Sequence, residues 1–218
     1  MSIKLLIRNH DICQYQQTYN AMVTVTKTRD KKKLDEVWFL QHQPVYTLGL
    51  NGKPHHILAA TDIPVVQTDR GGQVTYHGPG QLVAYLLVDL RRKAIGIKDF
   101  IYRLEQSIIN MLHHYGTHAE RKKGAPGVYI DGKKIAALGI RVSKGCSYHG
   151  LAININMDLS PYAKINPCGY PDLQIIQMKD IGINDNMQQI REVLLMQLLQ
   201  QLEYAEAEVQ LPHVQEIA

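Results

Sequence analysis

Apolar residues change their spacing several times along the chain, and each change marks an element. IKLLI (3–7) and the aromatic run VWFLQHQPVYTLG read as strands, with Pro44 marking the bend or end of the second. Between them Ile12, Tyr15, Tyr19, Met22 and Val23 keep helical spacing, which predicts a helix from residue 11 to about 30, although its threonines weaken the pattern. IPVVQTD is a short strand leading into the glycine cluster RGGQVTYHGPGQ. LVAYLLVDL, almost continuously apolar, reads as a buried strand.

From residue 99 to 115 the period turns helical again. Ile101, Leu104, Ile108, Leu112 and Tyr115 form one stripe, with Asp99 expected as cap and Gly116 as stop. In VYIDGKKIAALGIRV, Asp131-Gly132 between two apolar runs signals a hairpin, because a type I′ turn needs positive φ at both central positions. LAININMDL is another strand, and Ser160-Pro161 opens a short helical turn before INPCGY. A last amphipathic helix, residues 187 to 204, carries Ile190, Val193, Leu194, Leu198 and Leu202 on one face. Hairpin-linked strands with helices in separate blocks predict an α+β fold, a mixed and largely antiparallel sheet packed with helices. No repeat or linker divides residues 1–218, so a single domain is expected, with room for a small C-terminal subdomain.

Composition narrows the function classes. Hydrophobic residues make up 45% and charged residues 20%, and the net charge is +4, too mild to suggest nucleic acid. The positive charge bunches at Lys31–Lys33, Arg91–Lys93, Arg121–Lys123 and Lys133-Lys134; solvated loops are the default reading and a docking site for an acidic partner the lesser one. No apolar run approaches a membrane span, and the N-terminal one is too short for a signal peptide. Cys13, Cys146 and Cys168 are odd in number, far apart and without C-x-x-C spacing, which fits free thiols in the cytoplasm. GVYIDGKK approaches the P-loop pattern but ends in lysine where a hydroxyl must meet magnesium, and its VYI is strand-like. Gly78-Pro79-Gly80 does not complete a dinucleotide fingerprint, and the adjacent pairs His55-His56 and His113-His114 lack metal-ligand spacing.

Three features carry chemistry. Gly71, Gly72, Gly78, Pro79 and Gly80 let backbone amides approach a ligand, with Arg70 and His77 as a fixed charge and a neutral donor; a tight turn between strands is the plainer alternative. After the hairpin, Lys133 and Lys134 point to opposite faces, so one turns inward; burial would lower its pKa, unless it guards a sheet edge. Cys168 sits between Pro167 and Gly169, open surroundings for a thiol. A free thiol ionises near pH 8.5, and a neighbouring ammonium stabilises its anion, so Lys134 is the attractive partner. The Gly169 N–H is a candidate oxyanion donor.

Taken together, PVYTLG, RGGQVTYHGPGQLVAY, GAPGVYIDGKKIAALGIRV, YHGLAININMDL and INPCGY resemble the lipoyl(octanoyl) transferases in order and spacing over nearly the whole chain. The resemblance implies the fold of the biotin and lipoate protein ligases. It also implies transfer of octanoyl from octanoyl-acyl carrier protein to a lysine on lipoyl domains of 2-oxoacid dehydrogenase E2 subunits or the glycine cleavage H protein, the first step of lipoate synthesis. The acyl-thioester nucleophile falls on Cys168 and the activating lysine on Lys134. Substrate-lining positions fall on Arg70, Gly71, Gly72, Gln73, Val74, Thr75, Tyr76 and His77, on Ala137, Leu138 and Gly139, and on Gly150, Leu151 and Ala152. Exchanging one thioester for another is nearly balanced and amide formation is downhill, so neither ATP nor a metal or other cofactor is expected. An ATP-dependent lipoate or biotin ligase and a non-catalytic acyl-binding protein remain the rivals.

Overall fold

The computed structural model describes residues 4–30, 32–59 and 62–210. The chain opens with β1 (Lys4–Cys13) and α1 (Tyr15–Thr28), followed by β2 (Asp35–His42), β3 (Val45–Leu48), β4 (Val65–Gln67), β5 (Val74–His77) and β6 (Gln81–Leu87). Then come α2 (Ile97–His114), β7 (Glu120–Arg121), β8 (Gly127–Ile130), β9 (Lys133–Ser143), β10 (Cys146–Asn154), α3 (Met187–Gln201) and β11 (Glu206–Gln210). Among the described residues these strands make an eight-stranded sheet, ordered β11-β1-β2-β6-β10-β9-β8-β7, and a three-stranded one, β4-β3-β5. β1 runs parallel to both its neighbours and β3 parallel to β4, while the other pairings are antiparallel. The architecture is the mixed α+β expected.

Every residue of β6 and β10 is buried, which explains their lack of polar alternation. On one face Leu82, Ala84, Leu86, Leu151 and Ile153 meet Phe100, Leu104 and Ile108 of α2 and Ile190, Leu194 and Leu198 of α3. Each fully buried side chain of this size contributes about 1.5–3 kcal/mol. On the other face Val83, Tyr85 and Ala152 pack with Trp38 and Met22, the latter on α1. The small sheet has its own cluster of Tyr46, Leu48, Val74 and Tyr76 with Tyr162 and Ile165.

Several boundaries move. β1 continues through Cys13, because Ile12 and Cys13 pair with Gln41 and His42 after a bulge, so α1 starts at Tyr15 rather than 11. Its buried face is Tyr15, Thr18, Met22 and Thr26; Ile12 is exposed on the strand, and Thr18 satisfies its hydroxyl on the Gln14 carbonyl at 2.9 Å. Gly96, not Asp99, is the N-cap of α2, whose first turn holds Asp99 bonded to Arg103 at 3.0 Å. The aromatic run splits at Pro44 into β2 and β3, which belong to different sheets. VTYH, inside the expected glycine loop, is strand β5, and β11 is a strand beyond those expected. Asp131 (φ 49°) and Gly132 (φ 77°) make the expected turn, and Lys144-Gly145 makes a second of the same kind. Ile3 and Lys31 lie outside the described residues.

Candidate active site

β9 is where the sequence-derived site assembles. Val128 pairs with Ala136 but Tyr129 with Lys134, so Ile135 is an extra, bulged residue that re-aims Lys134. Lys133 stays exposed, whereas Lys134 is buried. The backbone of Lys134 is pinned by the 174–176 segment, accepting from Ile176 N at 3.0 Å and donating to Gln174 O at 2.8 Å. That segment follows the turn Pro167–Gly169, which carries Cys168 in the left-handed region at φ 55°, ψ 16°. Left-handed backbone costs a non-glycine residue roughly 1–2 kcal/mol, and hydrogen bonds from Gly169 N to Asn166 O, Tyr170 N to Pro167 O and Asn166 N to His56 O hold it there.

The outcome is a direct contact: Lys134 Nζ lies 3.0 Å from Cys168 Sγ and 3.1 Å from the Pro126 carbonyl. Burial alone would push the lysine down, but the charge of Cys168 and the hydrogen bonds to Cys168 and Tyr129 outweigh it, so its pKa is raised. This reverses the expectation of a depressed lysine: in the resting site it is a held ammonium. The Gly169 N–H is also not free for an oxyanion, since it donates to Asn166 O at 2.9 Å.

Gly127, from the same GAPG segment, makes room for the ammonium. A Cβ there would lie 3.1 Å from Lys134 Nζ and 2.7 Å from the Ala136 carbonyl, and its φ of 144° disfavours any side chain. Gly127→Ala is therefore expected to displace the ammonium and slow alkylation of Cys168 by iodoacetamide at neutral pH about tenfold. A rate equal to the parent's would remove this positioning role.

A narrow slot leads away from Cys168 between β5 and the β6-β10-β9 surface. Its cavity of about 50 Å³ has room for several water-sized groups, where one water needs roughly 10–15 Å³. Arg70, Gly72, Gln73, Val74, Thr75 and His77 line it on one side. Ala137, Leu138 and Gly139 of β9 and Gly150, Leu151 and Ala152 of β10 line the other. Gly71 and Tyr76 do not. Gly71 instead ties the loop to β9 through its N–H on Ile140 O at 3.2 Å, and Tyr76 alternates away into the small sheet's cluster. Sequence reasoning missed Tyr15, Val83 and Tyr85, which also line the slot, as does His149 just before Gly150. Tyr85 and Val83 alternate along β6, a signal hidden by that strand's unbroken apolar run.

Arg70 is buried and braces the glycine loop: Nη2 donates to the carbonyls of Thr47 and Gln73 at 2.6 and 2.7 Å, Nη1 to Gly71 O at 2.9 Å, and Nε to Thr47 Oγ1 at 3.0 Å. Its charge serves the scaffold first. His77 Nδ1 donates to Gln81 Oε1, 2.7 Å away, and burial, with His42 next, drives its pKa down to about 3, so the ring is neutral. The basic clusters are partly structural too: Arg92 holds Asp35, Arg121 holds Glu105, and Lys93 lies 3.5 Å over the Tyr204 ring. Among the described residues no group of three His, Cys, Asp or Glu is placed to hold a metal, and no helix is long and apolar enough to cross a membrane.

Comparison with known proteins places these findings. Residues 14–199 match the family described as the lipoyl protein ligase A/B catalytic domain. A protein named octanoyltransferase from Azoarcus sp. (strain BH72) is 53% identical over 203 residues, covering 93% of this chain and 89% of its own. Another of that name from Aliivibrio fischeri (strain ATCC 700601 / ES114) is 48% identical over 217 residues, covering 95% and 96%. Of solved structures, lipoate-protein ligase A bound with ATP superposes with a TM-score of 0.76 at 14% identity, over 99% of this chain and 91% of that one. Biotin protein ligase from Aquifex aeolicus, in complex with biotin and ATP, gives 0.56 at 12% identity, over 92% and 70%. At such identities the structural likeness speaks for the fold alone.

Proposed function

This chain belongs to the lipoyl protein ligase A/B catalytic family and, within it, to the octanoyltransferases, acyltransferases of lipoate biosynthesis, and from that premise we propose that it works through a Cys168 thioester with Lys134 as its proton carrier. The donor is octanoyl-acyl carrier protein, and the acceptor is a lysine on a lipoyl domain. The observation that carries this reading is the 3.0 Å contact between Nζ and Sγ at the mouth of the slot.

In the first half-reaction the Cys168 sulfur, as thiolate, attacks the carbonyl carbon of the donor thioester. The tetrahedral intermediate collapses by breaking the bond to the phosphopantetheine sulfur, and that sulfur takes a proton from the Lys134 ammonium. Octanoyl is now a Cys168 thioester and Lys134 is neutral. With the thiolate acylated, the larger of the two influences that raised its pKa is gone; Tyr129 still favours the ammonium, and burial, the largest influence, pulls towards the neutral amine. In the second half-reaction the acceptor amine attacks the thioester, Lys134 takes the amine's proton, and Cys168 leaves as thiolate. The ion pair is restored, no proton is left over, and the thioester supplies the driving force for the amide.

The test is a transfer assay with purified protein, octanoyl-acyl carrier protein and an unmodified lipoyl domain, without nucleotide. We expect full modification of the acceptor, unaffected by ATP. Modification seen only with free octanoate and ATP would identify an adenylating ligase instead.

A further inference from the structure

His149 is the least expected residue of the slot. It sits in β10 between Tyr148 and Gly150 at φ 58°, a left-handed conformation inside a strand. Neighbouring strand residues ordinarily point to opposite faces. Here the Tyr148 and His149 rings stack at 5.0 Å, and His149 also stacks on Tyr19 of α1 at 5.6 Å and lies 6.2 Å from the Tyr85 ring. The backbone distortion thus turns the imidazole onto the slot side of the sheet.

One ring nitrogen is accounted for. Nε2 lies 2.9 Å from Asp69 Oδ1, and the Tyr148 hydroxyl donates to the other oxygen of the same carboxylate. Burial works against the Asp69 charge, but the hydrogen bonds from His149 and Tyr148 overcome it and hold the group at about 2. An ionised carboxylate accepts only, so Nε2 carries the hydrogen. His149 itself is pushed below its ordinary value by burial and is neutral, which leaves Nδ1 as a bare acceptor. His149 is 1% exposed, and this Nδ1 is buried with no hydrogen-bond partner. Buried acceptors are ordinarily satisfied; this one, on a residue lining the slot, is not.

Its position along the slot is fixed by register. Cys168 shares a cavity wall with Ala137, which pairs with Ala152, and three steps along the hairpin Ile140 pairs with His149. At about 3.3 Å per residue Ile140 lies about 10 Å along β9 from Ala137, close to the length of an extended eight-carbon chain. The tip of an octanoyl group on Cys168 would therefore come up against the His149 ring, whose Nδ1 is buried and unpartnered.

We propose that the far end of the slot is a hydrogen-bonding subsite in which His149 Nδ1 accepts from a donor at the tip of the acyl chain, so that the enzyme takes eight-carbon acyl groups bearing a terminal hydroxyl. This rests on the transfer reading above and extends its substrate class. An end wall without a free acceptor would reject the hydroxyl roughly tenfold or more, since a buried hydroxyl without a partner loses its hydration.

Equimolar octanoyl- and 8-hydroxyoctanoyl-acyl carrier protein, offered together, give the test, with the ratio of the two cysteine adducts read by intact mass. We expect the hydroxylated adduct within about threefold of octanoyl in the parent protein. The ratio should fall about tenfold in His149→Phe, which lacks the acceptor. It should also fall in Asp69→Asn, which no longer fixes the tautomer and leaves the slot wall in place. Tenfold rejection by the parent, or a ratio unmoved in both variants, overturns the subsite. Loading of octanoyl alone would sink this inference and spare the transfer reading, whereas failure to load either chain would sink both.

Discussion

Replacing Cys168 with alanine is expected to lower octanoyl transfer by about four to six orders of magnitude, the scale on which losing a covalent nucleophile disables a linked catalytic set. The turn should stay closed, because alanine tolerates φ 55° no worse than cysteine and the bonds from Gly169 N and Tyr170 N that close it are backbone ones, so that only the contact with Lys134 is lost. Cys168→Gly sharpens the point. Glycine accepts that backbone without strain, so the variant should be at least as stable and equally inactive. A structural cysteine would show the opposite pairing, with lost stability and retained turnover. Steady-state transfer alongside a thermal melt of the same preparations decides between them.

The second large effect belongs to Lys134, whose two jobs can be separated. Lys134→Met removes both the charge beside the sulfur and the exchangeable proton, and transfer should drop about 10²- to 10⁴-fold. Alkylation of Cys168 by iodoacetamide at neutral pH should slow as well, by about tenfold or more, since the thiolate is the nucleophile and a neighbouring charge stabilises it. Lys134→Arg keeps a cation but cannot release a proton in the working range. It should alkylate far faster than the Met variant and yet transfer little better. Equal alkylation rates in the parent and Lys134→Met would remove the ion pair from the account.

How much of this was readable in the chain depends on where the information lies. Local turn chemistry was legible: Asp131-Gly132 needs positive φ twice, and the structure has it twice. So was the inward turn of one lysine of a pair, since strand alternation permits only one outside. The direction of the Lys134 pKa was not, because it depends on a sulfur 34 residues away that the 174–176 segment brings alongside β9. The bulge at Ile135 is a property of two strands together and leaves no mark in either alone. Tyr15 belongs to a core stripe by its spacing, and that it also faces a slot follows from a sheet packed over α1. The orientation of His149 was hidden for a related reason: alternation would have put it on the opposite face, and only the positive φ brings it round.

All of this turns on whether acyl chains pass through the sulfur. Intact-protein mass spectrometry after mixing the protein with octanoyl-acyl carrier protein, without nucleotide or acceptor, measures that most directly. The account predicts one added octanoyl group, mapped to the peptide containing Cys168, released when a lipoyl domain is supplied, and missing in Cys168→Ala. An unmodified mass in the parent protein under conditions where the acceptor does become octanoylated would contradict it.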